Sequence, residues 1–207
     1  MKEYWDDIIT SQSWEKLVEI NKQYDFVLIG GWAVWLYTRA LKSKDIDIIV
    51  SFEELSKLKD NFALHKNARL SKYEIKELNY DIDVYVEHFS NLGLPAEAIA
   101  KESQDLDGFT VPKPEMLLIA KQCAFRDRQG SIKGEKDKID IFSILELKQL
   151  DFNFYKKFLE GMEFRYRNYK KNVCVHFLYS SISQYVSGIP NAAGYSNIKI
   201  AMMKIAT

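Results

Sequence analysis

The chain has 207 residues, with 47% hydrophobic and 14% aromatic content and 29 basic side chains against 29 acidic ones. Such a length and apolar share suit an ordered protein with a sizeable core and exclude a disordered or fibrous one. The even charge balance excludes a general positive field for polyanions, so any nucleic-acid contact has to be local.

Apolar residues from Trp5 to Ile20 recur at helical spacings and predict one or two amphipathic helices before a break at Tyr24-Asp25. Phe26 to Ile29 is a short continuous apolar run closed by Gly30-Gly31, the pattern of a buried strand entering a tight turn. A helix is expected over Trp32 to Ala40, a strand over Asp45 to Val50 and a helix over Glu53 to Asp60. Ala68 to Leu78 mixes strand and loop character without clear periodicity, and Asp81 to Val86 restores the strand signal. A loop at Asn91 to Pro95 and a polar stretch to Gly108 lead to a short strand at Phe109 to Val111.

Beyond Pro112 and Pro114 the pattern turns helical. A first helix runs from Glu115, a charged helix end and loop cover Arg126 to Lys138, and a second helix covers Ile139 to Leu150. Further helices are expected at Phe152 to Lys171, Cys174 to Ser187 and Asn197 to Ile205. The predicted class is α+β: a small mixed sheet with flanking helices over residues 1–111, then a C-terminal helical module over 112–207. Cys123 and Cys174 lack metal-ligand spacing and read as reduced core thiols. No basic segment followed by a long apolar run opens the sequence, and no run approaches the roughly 18 apolar residues of a membrane span. A cytoplasmic protein without membrane contact is therefore the expectation.

The chemistry sits in two acidic pairs, Asp45/Asp47 in KDIDIIV and Asp81/Asp83 in YDIDVYV. Alternate strand residues share a face, so each pair projects two carboxylates one way while its apolar neighbours point the other. Adjacent half-buried carboxylates repel one another and lose solvation, and a divalent cation such as Mg²⁺ or Mn²⁺ relieves both costs. Asp81 and Asp83 lie two apart on one face, so either can reach such an ion, with Asp83 preferred. Gly30 and Gly31 let backbone amides approach a phosphate closely, and Arg39, Lys42 and Lys44 flank that segment as candidates to neutralise its charge. Trp32 can stack on a base or pack in the core. His65, His88 and His176 have no sequence partners and read as structural or exposed.

The stretch LIGGWAVWLYTRALKSKDIDIIV, with a later strand carboxylate, resembles the nucleotidyltransferase fold of the DNA polymerase beta superfamily over roughly residues 24–90. The resemblance implies that Asp45 and Asp47 hold two metal ions, that Asp83 completes the site and that Gly30-Gly31 cradles a nucleoside triphosphate. KQCAFRDRQGSIKGEKDKIDI is similar to the helical signature of AbiEii-type toxins and related minimal nucleotidyltransferases. By that likeness Lys121 and Arg128 bind the triphosphate and Asp137 and Asp140 support them, while this sequence departs from the pattern in an extended Gln129 to Glu135 loop. The expected activity is metal-dependent transfer of a nucleoside monophosphate from an NTP to an acceptor hydroxyl on a tRNA end, a protein or a small molecule. The alternative is a non-catalytic nucleotide-binding protein, or one that pairs with an antitoxin-like partner.

Overall fold

A computed structural model describes residues 7–165, with side chains through 161. The chain divides into two compact units, Met1–Lys113 and Pro114–Thr207. The helices read at Cys174 to Ser187 and Asn197 to Ile205, the end of the one read at Phe152 to Lys171, and Cys174 and His176 lie outside the described residues.

In the first unit helix α1 (Asp7–Asn21) leads into strand β1 (Val27–Ile29), helix α2 (Gly30–Thr38), strand β2 (Ile46–Val50) and helix α3 (Phe52–Asn61). Strands β3 (His65–Asn67), β4 (Lys72–Lys76) and β5 (Asp81–Val86) follow. Helix α4 (Ala96–Lys101) then precedes a separate hairpin, β6 (Ser103–Leu106) and β7 (Phe109–Pro112). The five-stranded sheet has the order β1-β2-β5-β4-β3, with β2 and β5 parallel and every other pairing antiparallel. The class is the expected mixed α and β one.

Period-two alternation explains how the sheet is sided. Ile46, Ile48 and Val50 of β2 and Ile82, Val84 and Val86 of β5 are all buried, while Asp47, Asp81 and Asp83 face the other way, partly open. Leu17 and Ile20 of α1 and Leu55 and Leu58 of α3 supply further buried apolar side chains. Trp32 settles one alternative left by the sequence: it is 1% exposed, its indole Nε1 donates to Ser13 Oγ at 3.0 Å, and its ring lies 5.0 Å from Trp14 and 5.5 Å from Trp35. It is a core residue. Helix α3 starts with Ser51 accepting from the Glu54 amide at 3.1 Å, a Ser-x-x-Glu start that the sequence spells out.

The sequence reading missed β3, α4 and β6, the last lying in the stretch read only as polar, and left β4 without a clear assignment. All four are short, three, six, four and five residues, below the length at which periodicity separates one state from another. Both glycines of the pair belong to the first turn of α2, so strand passes into helix with no intervening loop.

The second unit contains α5 (Pro114–Asp127), α6 (Ile132–Leu145) and α7 (Phe152–Arg165). Ser131 caps α6 by accepting from the Gly134 amide at 3.0 Å, which starts the helix about seven residues before the expected Ile139. Gly134 is required there, because a Cβ would stand 2.3 Å from the Arg128 carbonyl oxygen. The loop read as extended is therefore a tight turn. Cys123 is buried, and burial pushes its thiol up to about 11, as suits an inert core residue. Among the described residues no helix is long and apolar enough to cross a membrane.

Candidate active site

Strand register assembles the acidic residues. Asp47 pairs with Ile29 on one side and with Asp83 on the other, and Asp83 in turn pairs with Glu74. One transverse row of the sheet thus reads Asp47, Asp83, Glu74, with neighbours about 4.8 Å apart at ordinary strand spacing. Asp83, and not Asp81, lies opposite Asp47. Asp81 instead pairs with Lys76 at 2.9 Å and gives its backbone N–H to Asp45 Oδ1 at 3.3 Å. Asp45 stands one residue before β2, in the bend that contains Lys44.

Gly30 closes the other side of Asp47. Its φ of +68° lies in the left-handed region, and a Cβ built on it would come within 2.1 Å of Asp47 Oδ2. The Asp47 carboxylate therefore occupies the space a side chain would take at the start of α2. No side-chain hydrogen bond caps that helix at Ile29, so the favourable dipole end and first amides of α2 sit beside Asp47. Gly30→Ala combines a strained backbone with a displaced Asp47, and thermal denaturation should register a loss of about 1–3 kcal/mol. Wild-type stability in that variant would show that the carboxylate has room to retreat.

Burial, then the charge of Asp47, pushes Asp83 up to about 6, and Lys72 only partly offsets them. Lys72 was overlooked in the sequence. Its Nζ lies 2.5 Å from Asp83 Oδ2 and 3.1 Å from Glu74 Oε1, and its side chain is 8% exposed. Burial pulls its ammonium down, but the combined attraction of Asp83 and Glu74 outweighs this and the net shift is upward. Glu74 is held down at about 2, first by the Asn67 amide and then by Lys72 and Lys76, against the opposing effect of burial. The one trace of Lys72 in the sequence is the alternation Lys72-x-Glu74-x-Lys76 around Tyr73 and Ile75, too short to assign a strand.

A carboxyl whose folded pKa is raised contributes stability that is fully present below its unfolded value and is lost as pH rises through the folded one. For Asp83 that window runs from about pH 4 to about pH 6. Asp83→Asn mimics the protonated form, so its unfolding free energy should match wild type near pH 4 and exceed it at pH 7 by on the order of 2 kcal/mol, with the melting temperature following. Parallel curves at all pH values would contradict the assignment.

The donor chemistry of the row suits a divalent cation. Asp47 and Asp83 present hard oxygens side by side, and their mutual repulsion is what such an ion relieves. Asp45 is not gathered with them as its side chain stands: among the described residues no group of three or more His, Cys, Asp or Glu side chains is arranged to hold a metal. Arg39 pairs with Asp107, its guanidinium 4.3 Å from the Trp35 ring centre, and Lys42 pairs with Asp7 at 3.1 Å. His65 and His88 are exposed.

In the second unit Lys121 and Arg128 are held by the aspartates the sequence grouped with them. Lys121 Nζ lies 3.3 Å from Asp137 Oδ1 and 2.7 Å from Asp140 Oδ2, while Arg128 grips Asp137 through Nε at 2.6 Å and Nη2 at 3.0 Å. Asp137 and Asp140 are 2% and 1% exposed. Neither oxygen of Asp140 has a hydrogen bond among the described residues, so its contact with Lys121 is an ion pair lacking hydrogen-bond alignment.

Comparison with known proteins agrees with this fold. Two solved structures from Helicobacter pylori, JHP933 and a protein described as a nucleotidyltransferase, each share 14% identity with the chain. The first covers 95% of this chain and 93% of its own at a TM-score of 0.50, the second 98% of each at 0.51, and likeness at such identity shows the fold alone. A search of curated proteins finds no match. A family model described as "Nucleotidyltransferase of unknown function (DUF6036)" matches residues 8–187, and the chain belongs to that family.

Proposed function

We propose that the chain transfers a nucleoside monophosphate from an NTP to an acceptor hydroxyl, with Mg²⁺ or Mn²⁺ bound at Asp47 and Asp83 and joined by Asp45. The observation that carries this reading is the in-register Asp47–Asp83 pair pressed against Gly30 in a member of a nucleotidyltransferase family. A divalent cation at such a pair neutralises phosphate charge and stabilises the attacking and leaving oxygens. Gly30 and Gly31 offer main-chain amides to the phosphates at the start of α2. Asp83 in its carboxylate form takes the proton of the acceptor hydroxyl as that oxygen attacks the α-phosphorus and the bond to pyrophosphate breaks. Asp45 joins by leaving the Asp81 amide. Lys121 and Arg128 serve the triphosphate in this reading, as the family resemblance implies. The acceptor classes are a tRNA end, a protein side chain or a small molecule.

Pyrophosphate release is the direct test. Purified protein supplied with each α-labelled NTP, Mg²⁺ and candidate acceptors should release pyrophosphate and label an acceptor, and EDTA should stop both. A second reading is favoured by Lys72 on Asp83 and by Asp45 on the Asp81 amide, contacts that suit a protein keeping the fold to bind nucleotide or an antitoxin-like partner without catalysis. NTP binding with no pyrophosphate under any condition would decide for it.

A further inference from the structure

We propose that Lys72 is a positioning residue for the carboxylate row, a built-in counter-cation that holds Asp83 before a divalent ion arrives and then competes with that ion for Asp83. The inference rests on the metal-dependent reading above and deepens it. Three acids stand in one line across β2, β5 and β4, and Lys72 Nζ sits between two of them, 2.5 Å from Asp83 and 3.1 Å from Glu74. Its side chain is nearly as buried as the apolar core, so this is no solvated surface pair.

The anchoring is built in two stages. Asn67 Nδ2 donates to Glu74 Oε1 at 2.9 Å, and Lys76 Nζ stands 3.2 Å from Glu74 Oε2. Glu74, fixed from these sides, holds the Lys72 ammonium, and the ammonium holds Asp83. Without Lys72, Asp83 would stand between the carboxylates of Asp47 and Glu74 without the ammonium that contacts it at 2.5 Å. With it, the metal-free sheet folds, and an incoming cation meets an Asp83 already engaged. A purely structural ion pair would leave metal affinity untouched, whereas a competitor must change it in opposite directions when the lysine or its anchor is removed.

Binding of Mn²⁺ alone, followed by calorimetry on wild type, Lys72→Met, Glu74→Gln and Asp83→Asn, separates these cases. Lys72→Met should bind Mn²⁺ about tenfold more tightly, a change of about one decade in the dissociation constant. The same variant should melt lower than wild type without metal and recover much of the difference with it. Glu74→Gln leaves the whole ammonium charge to Asp83 and should weaken Mn²⁺ binding severalfold. Unchanged affinity in both variants, or a change of the same sign, would overturn the proposal. Should Lys72→Met fail to fold, Glu74→Gln decides alone, with weaker binding in support and equal or tighter binding against. Wild-type protein that binds no Mn²⁺, or binding that survives Asp83→Asn, would overturn the metal-dependent reading and this inference with it.

Discussion

Asp47→Asn should lower nucleotidyl transfer by about a hundredfold to a thousandfold, the scale on which removal of one electrostatic group from a reacting centre is felt. The substitution keeps the shape of the side chain, so it still fits the space that Gly30 leaves open. It also removes the charge that helps push Asp83 up, so the fold should not suffer. Loss of activity with an unchanged or raised melting temperature therefore identifies a lost charge and not a lost structure. Pyrophosphate release at wild-type rate from a folded Asp47→Asn protein would end the proposed mechanism.

Lys121→Met should destabilise the second unit by about 3–5 kcal/mol, the usual cost of breaking a buried pair from one side. Asp137 would keep its two-point contact with Arg128, but among the described residues Asp140 would retain only Lys136, at 3.8 Å. Desolvation makes that an expensive place for a carboxylate. Adding Asp140→Leu to Lys121→Met should recover much of the loss, because an apolar pair of similar volume has no buried charge left to satisfy. Thermal melts followed by helical circular dichroism on the two single variants and the double give the coupling. Additive losses would show that Lys121 and Asp140 do not depend on each other.

Much of the candidate site was legible in local sequence because it depends on period. Asp47, like Asp81 and Asp83, alternates with buried Ile or Val, so the shared face needed only the geometry of a strand. The Gly30 requirement was legible as a close approach, although the partner named by the structure is the Asp47 carboxylate. Lys72 and Glu74 were not legible, since their strand is five residues long and its alternation is polar against aromatic or isoleucine over barely two repeats. The capped start of α6 was misjudged because Gly130 and Gly134 read as loop, when one ends a turn at φ +77° and the other packs inside the helix on a carbonyl.

Sequence by itself determined the class of the fold, the face on which Asp47, Asp81 and Asp83 lie and the short glycine approach, because each follows from the backbone geometry of a few consecutive residues. Tertiary structure decided which carboxylate of β5 stands beside Asp47, that Lys72 intervenes at Asp83, and that Lys121 and Arg128 are gripped by Asp137 and Asp140. Those outcomes depend on the register between segments and on which charges burial brings together, and neither quantity is a property of any short stretch of chain.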